Sequence, residues 1–406
     1  MSQPSKTVTC LGGAGGMGKT LARHLAQSEH IKTLIIADLD GEGAAALAQE
    51  LGKTAACDIK SEQVNVLEDT EMNTLLERTD FLANAAGPFF RLGVPTLRAA
   101  INTSTPYLDI CDDPGPTLEM MALDSLAKEK SVGAVIGMGA SPGLSNLLAK
   151  RAASRLDRVR DCYTAWPLDV SAPGEDASIL DEEQGDGVSA AAVHLMMQIS
   201  GTVHVVKDGA LTSIPPLEEV TLNYPGMGEG AAVVVGHPEP VTLHKSLNVE
   251  GTAANIMLVK PATAQFLRFI SKDIDRGRLS LDQAASLLMD PKGLRALKAA
   301  VFASRSKGPG ALPPFFAWVR GEKDGQEKIV GCHATTLPLG MDGVTSIPAA
   351  LAIDMLLQNP AGPGVHAPEE VINADILLDR LRAHCPVPPG SVDELAPINE
   401  EMAPSS

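Results

Sequence analysis

Residues 7–18, Thr-Val-Thr-Cys-Leu-Gly-Gly-Ala-Gly-Gly-Met-Gly, constrain this chain more than any other stretch. The run from Thr7 to Leu11 has strand character. Gly13, Gly15 and Gly18 then stand in G-x-G-x-x-G spacing, and the residues from Lys19 onward continue as a helix with Met17, Leu21 and Leu25 on one face. In such a turn Gly13 permits the tight reversal off the strand, Gly15 lets the backbone approach a pyrophosphate, and Gly18 lets the helix pack on the sheet. Gly16 and Met17 complete the turn, where helix N–H groups and the positive dipole end face phosphate. A strand, turn and helix of this kind predict a dinucleotide at the start of an α/β fold.

Glycine-rich turns also occur without a ligand, so the following strands matter. Thr33 to Ala37 reads as a second strand ending in Asp38, 20 residues past Gly18, where a carboxylate would accept hydrogen bonds from ribose hydroxyls. Leu39 follows it on the cofactor side. Thr54 to Cys57 reads as a third strand ending in Asp58, expected beside the adenine. A 2′-phosphate needs a cationic partner after the second strand, and Ala37-Asp38-Leu39-Asp40 offers two acids and no base. The expected cofactor is NAD rather than NADP.

At 406 residues the chain has room for two domains with sizeable cores. Aromatic residues are only 3% and the net charge is −17, which argues against a base-stacking, phosphate-binding surface and so against nucleic acid. No apolar run approaches the ~20 residues of a membrane span, and the N-terminus lacks a signal-peptide pattern. The expectation is a cytoplasmic protein without a membrane partner. Cys10, Cys57, Cys111, Cys162, Cys332 and Cys385 are scattered, with no C-x-x-C pair, and read as reduced, mostly buried thiols with no metal site.

Strands alternate with helices through the first 142 residues, including Phe81 to Ala85, Tyr107 to Cys111 and Gly133 to Met138. That pattern predicts an N-terminal doubly wound Rossmann sheet, an α/β domain at 1–142. A helix beginning near Pro142 ends the pattern. Strand candidates then cluster at Val203 to Lys207, Val220 to Asn223, Ala231 to Val235, Phe316 to Arg320 and Lys328 to Cys332. A helix is expected over Val188 to Ile199. Residues 143–340 therefore read as a second α+β domain with a mixed or antiparallel sheet. Residues 341–385 read as C-terminal helices. Residues 386–406, Pro-rich and acidic, read as a mobile tail.

Asn84-Ala-Ala-Gly-Pro-Phe-Phe-Arg-Leu-Gly-Val-Pro, Pro106-Tyr-Leu-Asp-Ile-Cys-Asp-Asp and Gly139-Ala-Ser-Pro-Gly-Leu-Ser-Asn resemble the saccharopine dehydrogenase-like family. Gly236-His-Pro-Glu-Pro-Val-Thr-Leu and Gly364-Val-His-Ala-Pro-Glu are similar to its lysine 6-dehydrogenase and saccharopine reductase branch. The resemblance spans most of residues 6 to 380. It implies an NAD(P)-dependent oxidoreductase acting on carbon–nitrogen bonds of amino acids or related amines. It also implies that 143–340 is the substrate and dimerisation domain, often supplying the interface of a homodimer, and that the helices of 341–385 pack back on the first domain.

Hydride transfer beside an amine needs a bound nicotinamide, a positioned substrate carbon and a proton acceptor. The site is expected beyond the carboxyl ends of the strands, closed over by the second domain. Ala85-Ala86-Gly87-Pro88 allows backbone to run close to ribose and diphosphate, or is an ordinary strand-to-helix turn. Asp112 and Asp113 can anchor a substrate ammonium or take a proton, although an Asp before Pro114 also starts turns. Gly139 and Ser141 lie in a small-residue turn suited to bordering nicotinamide. Ser145 and Asn146 either touch substrate or cap the next helix. His237, with Glu239 and Thr242 near it as substrate contacts, is the candidate proton acceptor, or a turn histidine held by a carbonyl. The acidic stretch Asp176 to Asp186 reads as a solvated loop.

The resulting expectation is an NAD-dependent, lysine 6-dehydrogenase-like oxidation of CH–NH to an imine. Opine- or saccharopine-type condensation of an amine with a carbonyl compound stands second, and a catalytically silent NAD-binding regulator third.

Overall fold

The computed structural model describes residues 6–171, 190–291 and 293–403. They form two compact units, Met1–Leu147 with Pro338–His384 and Leu148–Leu337 with Cys385–Ser406. The acidic stretch Asp176 to Asp186 lies outside the described residues.

The first unit contains β1 (Lys6–Leu11), β2 (Ile31–Asp38), β3 (Asp58–Gln63), β4 (Phe81–Asn84), β5 (Tyr107–Asp109) and β6 (Gly133–Val135). All pair in parallel, and a seventh strand, Gly364–His366, joins beside β6. From that strand the sheet runs through β6, β5, β4, β1, β2 to β3, so the order reverses between β1 and β4. Reversal at that point leaves a crevice at the carboxyl edge where a doubly wound sheet takes its ligand. Val8, Cys10, Leu34, Ile36, Leu82 and Ala83 are buried, as continuous apolar strands covered on both faces should be.

The third strand is not where the residue pattern placed it. Residues 54–57 form turn and bend, and β3 begins at Asp58. In the parallel register Thr33 pairs with Asp58 and Asp38 with Gln63. Asp58 therefore stands at the amino edge of the sheet, about 16 Å along the strand from the level of Asp38, and is not an adenine neighbour. Gln63 takes the position near Asp38, its Nε2 donating to Leu39 O at 3.0 Å. Asp-Ile-Lys-Ser-Glu-Gln is an edge strand, largely solvated, and such strands carry charge instead of an apolar period.

The C-terminal helix Gly340–Gln358 packs back on helix Gly16–Leu25. Thr20 Oγ1 donates to Asp342 Oδ2 at 2.6 Å, and Ser346 Oγ to Met17 O at 2.8 Å. Among the described residues it is the one helix long and apolar enough to cross a membrane. Half of its most apolar window is buried here, and its packing makes it a core helix of this unit.

The second unit is built on a nine-stranded mixed sheet. Its strands include β7 (Arg158–Pro167), β8 (Val203–Lys207), β9 (Ala210–Ile214), β10 (Glu219–Tyr224), β11 (Gly228–Val234), β12 (Ala253–Leu258), β13 (Phe316–Lys323) and β14 (Gln326–His333). The path runs β10, β11, β12, β7, β13, β14, and only β12 with β7 is parallel along it. Alternation sorts the two faces: Val233 and Met257 pack under helices Ala190–Gln198, Pro261–Asp275 and Leu281–Met289, while Ala232, Val234, Ile256 and Leu258 join Phe316 and Trp318 on the other side.

The final residues are structured. Helix Val392–Leu395 and strand Ile398–Met402 follow Pro386, and the strand pairs antiparallel with β14 from Lys328↔Met402 to Cys332↔Ile398. Asp393 pairs with Arg151, and Thr335 N–H donates to Leu395 O at 2.9 Å. The expectation of a mobile tail is thus corrected for 392–402. An acidic composition suits an outer strand whose far edge faces water, and that concealed it.

Candidate dinucleotide site and catalytic residues

The glycine loop divides its steric duties differently from the spacing rule. Gly12 carries the left-handed conformation, with φ +75°, and a Cβ there would stand 2.6 Å from Ala86 Cα. Gly13 lies against β2, where a Cβ would meet Ile36 Cγ2 at 2.6 Å. Gly18 is the closest approach: its Cβ would be 1.9 Å from Gly12 O. Gly15 and Gly16 face open space, with only Gly12 O at 3.3 Å from the first and nothing within 4 Å of the second. Gly15 starts helix Gly16–Leu25 without a side-chain cap. Room beside Gly15 and Gly16 at a helix start with no side-chain cap fits a pyrophosphate.

Asp38 closes the next corner. Its Oδ2 accepts Ala14 N–H at 2.9 Å and its Oδ1 accepts Asp40 N–H at 3.0 Å, tying the end of β2 to the glycine loop. Each carboxylate oxygen keeps further acceptor capacity, which ribose hydroxyls can fill. Leu39 beside it is 65% exposed, an apolar surface next to that carboxylate.

Three further loops lie along the same edge. Ala85 N–H donates to Leu11 O at 2.8 Å, which sets Ala85 to Pro88 against the glycine loop through Ala86 and Gly12. In the loop after β5, Asp113 is buried, and its Oδ2 accepts Phe90 N–H at 3.1 Å, bracing the start of helix Phe89–Asn102. Asp112 is half-buried. After β6, Gly139 N–H donates to Pro142 O at 2.9 Å and closes the turn that carries Ser141. Asn146 Oδ1 accepts Gly143 N–H at 3.0 Å while its Nδ2 donates to Glu369 Oε2 at 2.9 Å. Ser145 and Asn146 are fully buried, so Asn146 clamps this turn to the C-terminal segment. Glu369 was not singled out from the sequence, although it ends one of the segments that carry the resemblance.

A chain of hydrogen bonds that residue patterns did not reveal lies beneath these loops. Asn84 Nδ2 donates to Tyr107 Oη at 2.9 Å, and Tyr107 Oη donates to Asp109 Oδ2 at 2.8 Å. Asp109 Oδ1 accepts the N–H groups of Gly137 at 2.7 Å and Cys111 at 3.0 Å. Burial pushes the Asp109 carboxyl up to about 6, against the pull of those donors, and nearby Asp112 adds to the rise. The available signal was a carboxylate in an otherwise apolar strand, Tyr-Leu-Asp.

In the second unit His237 and Glu239 come together as expected. His237 Nδ1 lies 3.2 Å from Glu239 Oε2, and both are buried, Glu239 completely. Thr242 is buried in the first turn of helix Glu239–Ser246, its Oγ1 donating to Glu239 O at 3.3 Å. Three residues missed by sequence reasoning complete the cluster. Asn255 Nδ2 donates to Glu239 Oε1 at 2.9 Å and to Thr164 Oγ1 at 3.0 Å, and Trp166 Nε1 donates to Asn255 Oδ1 at 2.8 Å. The Trp166 and His237 rings lie 5.5 Å apart. An orienting carboxylate on Nδ1 leaves Nε2 as the ring atom that exchanges a proton.

A Rossmann sheet with an uncapped glycine loop and a carboxylate closing β2 gives the first unit the form of a dinucleotide-binding domain. Residues 8–135 match the family model described as saccharopine dehydrogenase NADP binding domain. Over the whole length the fold is similar to that of apo saccharopine dehydrogenase (L-Glu forming) from Saccharomyces cerevisiae, at 14% identity and a TM-score of 0.61, covering 98% of this chain and 100% of that one. Partial likenesses link it to GenD2 from gentamicin A biosynthesis in complex with NAD (15% identity, TM-score 0.32, 63% of this chain and 67% of that one) and to Pen from Bacillus thuringiensis (15% identity, TM-score 0.29, 34% and 52%).

Proposed function

We propose that the protein is an NAD-dependent oxidoreductase acting on a CH–NH bond of an amino acid or related small-molecule amine. The observation that carries this reading is the glycine loop closed by Asp38 in a domain of saccharopine dehydrogenase type. Similarity to yeast saccharopine dehydrogenase over nearly the full chain supports the carbon–nitrogen chemistry. When bound, the nicotinamide supplies the hydride acceptor.

The chain's own residues do the rest. Gly15, Gly16 and Met17 receive the diphosphate, and Asp38 with Leu39 receives the adenosine ribose. His237, oriented by Glu239, takes the proton that the amine nitrogen loses as the carbon–nitrogen double bond forms. Asp112 and Asp113 complement a substrate ammonium. The imine product then hydrolyses or cyclises.

The family model is described by NADP, yet an acid stands where a 2′-phosphate would need a base, and Leu39 and Asp40 add none. We give that local chemistry more weight and expect NAD. A saccharopine-type condensation calls for arginine forks on dicarboxylates. Of the candidate arginines Arg91, Arg268 and Arg320, Arg268 is engaged with Leu217 O and Ser306 Oγ and Arg320 with Glu327, which leaves Arg91, exposed near the start of helix Phe89–Asn102, without a second member of that set to make a fork. Oxidation of an amine therefore stands ahead. A homodimer in the cytoplasm belongs to the same reading.

Calorimetric titration of the wild type and Asp38→Ala with NAD and NADP tests the cofactor half. Loss of roughly tenfold or more in NAD affinity, with NADP affected less, is expected for removal of a charged acceptor. An unchanged ratio of the two affinities would remove Asp38 from the ribose site.

A further inference from the structure

We infer that Asp109 is a positioning residue: its carboxylate, with Tyr107 and Asn84, holds the loops after β4, β5 and β6 in one arrangement that receives the dinucleotide. The inference rests on the function proposed above and adds residues that touch none of the reacting atoms.

Each link is a separate loop. Asn84 Oδ1 accepts Ala86 N–H at 2.9 Å, inside the loop Ala85 to Pro88. Asp109 Oδ1 accepts Cys111 N–H from the loop after β5 and Gly137 N–H from the loop after β6. The Asp109 carbonyl accepts Met138 N–H at 2.7 Å from that last loop. Tyr107 Oη joins the two halves, accepting from Asn84 and donating to Asp109. The three loops therefore share one hydrogen-bonded frame, with a single carboxylate at its centre.

That carboxylate is an expensive choice for a core. Asp109 is 0% exposed, and among the described residues its partners are a hydroxyl and two backbone N–H groups, with no cation. What an anion adds is the ability to accept from several donors at once, and here the donors come from different loops.

Protonation of Asp109 removes the negative charge that strengthens all three accepted bonds, so each becomes a weaker neutral bond and the frame loosens. The titratable groups near it are Tyr107 on its own strand and Cys111 and Asp112 just beyond. Its strand neighbours β4 (Phe-Leu-Ala-Asn) and β6 (Gly-Ala-Val) carry no charge. On helix Gly340–Gln358, which packs against β5, the acids are Asp342, bonded to Thr20, and Asp354, bonded to Ser28 and Arg380. With the carboxyl near 6, about nine-tenths of the chains carry the proton at pH 5. Dinucleotide affinity should then fall about tenfold between pH 7.5 and pH 5 if only the ionised frame binds.

The test combines hydrogen exchange on the full chain without dinucleotide with NAD and NADP titrations from pH 5 to 8. It compares wild type, Asp109→Asn and Tyr107→Phe. In Asp109→Asn the amides of Cys111 and Gly137 should exchange faster, NAD affinity should drop roughly tenfold or more, and its fall toward pH 5 should disappear. Tyr107→Phe leaves both backbone bonds to Asp109 and removes the hydroxyl that joins Asn84 to it, so among the three backbone amides Ala86 should exchange faster while Cys111 and Gly137 stay protected. That variant keeps the test informative should Asp109→Asn fail to fold. Faster exchange with unchanged NAD affinity, or exchange confined to residues 109–112, would overturn the inference. A wild type that binds neither NAD nor NADP would overturn the proposed function itself, and with it this role for Asp109.

Discussion

Replacing Asn255 by aspartate keeps the shape of a fully buried side chain and turns its amide donor into a carboxylate oxygen. The bond from Trp166 Nε1 survives, and the Thr164 hydroxyl can turn to donate. Against Glu239, though, a 2.9 Å hydrogen bond becomes a contact between two carboxylates. At an effective dielectric of about 20, like charges ~3 Å apart repel by roughly 5 kcal/mol. That equals about four pKa units, so the pair would retain one proton to about pH 8.

The direction follows from linkage. The folded variant holds a proton that the unfolded chain releases near pH 4, so folded binds more than unfolded between those limits. Its stability relative to the wild type is then highest in acid and falls by about 1.4 kcal/mol per pH unit from about pH 4 toward pH 8. Both tryptophans, Trp166 and Trp318, lie in the second unit, so urea unfolding followed by tryptophan fluorescence reads that unit directly. Stabilities of wild type and Asn255→Asp that run parallel from pH 5 to pH 8 would refute the reasoning, since Glu239 would then not be an anion held by Asn255 and His237.

Two other perturbations follow from the fold. Gly18→Ala drives a Cβ to 1.9 Å from Gly12 O, so the loop must shift. It should lower thermal stability by about 2 kcal/mol or more and abolish NAD binding by calorimetry; normal binding would mean the loop relaxes freely. Removing residues 386–406 uncovers the edge of β14 and takes Asp393 from Arg151. Lower stability of the second unit and self-association in light scattering are expected, whereas an unchanged melting curve would show that the last strand adds nothing.

Local sequence chemistry exposed the elements whose residues repeat a steric or apolar rule. Parallel strands buried on both faces were legible as apolar runs, and the glycine loop by its spacing. What escaped depended on neighbours far along the chain. β3 and the final strand sit at sheet edges, where solvent removes the apolar signal. β12, Ala-Ala-Asn-Ile-Met-Leu, is buried on both faces and lacks both alternation and a β-branched run. Asn255 lies 16 residues from Glu239, and Gly137, whose N–H Asp109 accepts, lies 28 residues beyond Asp109, so no local spacing could mark either contact. His237 and Glu239 were visible because only Pro238 separates them.

Absorbance at 340 nm, following the purified chain with NAD and a panel of amino acids, diamines and opines, tests the proposed reaction most directly. Growth of the reduced nicotinamide band with one amine, faster with NAD than NADP and lost in His237→Asn while NAD still binds, is the expected result. Tight NAD binding with no reduction across the panel, and no oxidation of NADH with amine and keto acid, would contradict it and leave a dinucleotide-binding protein without turnover.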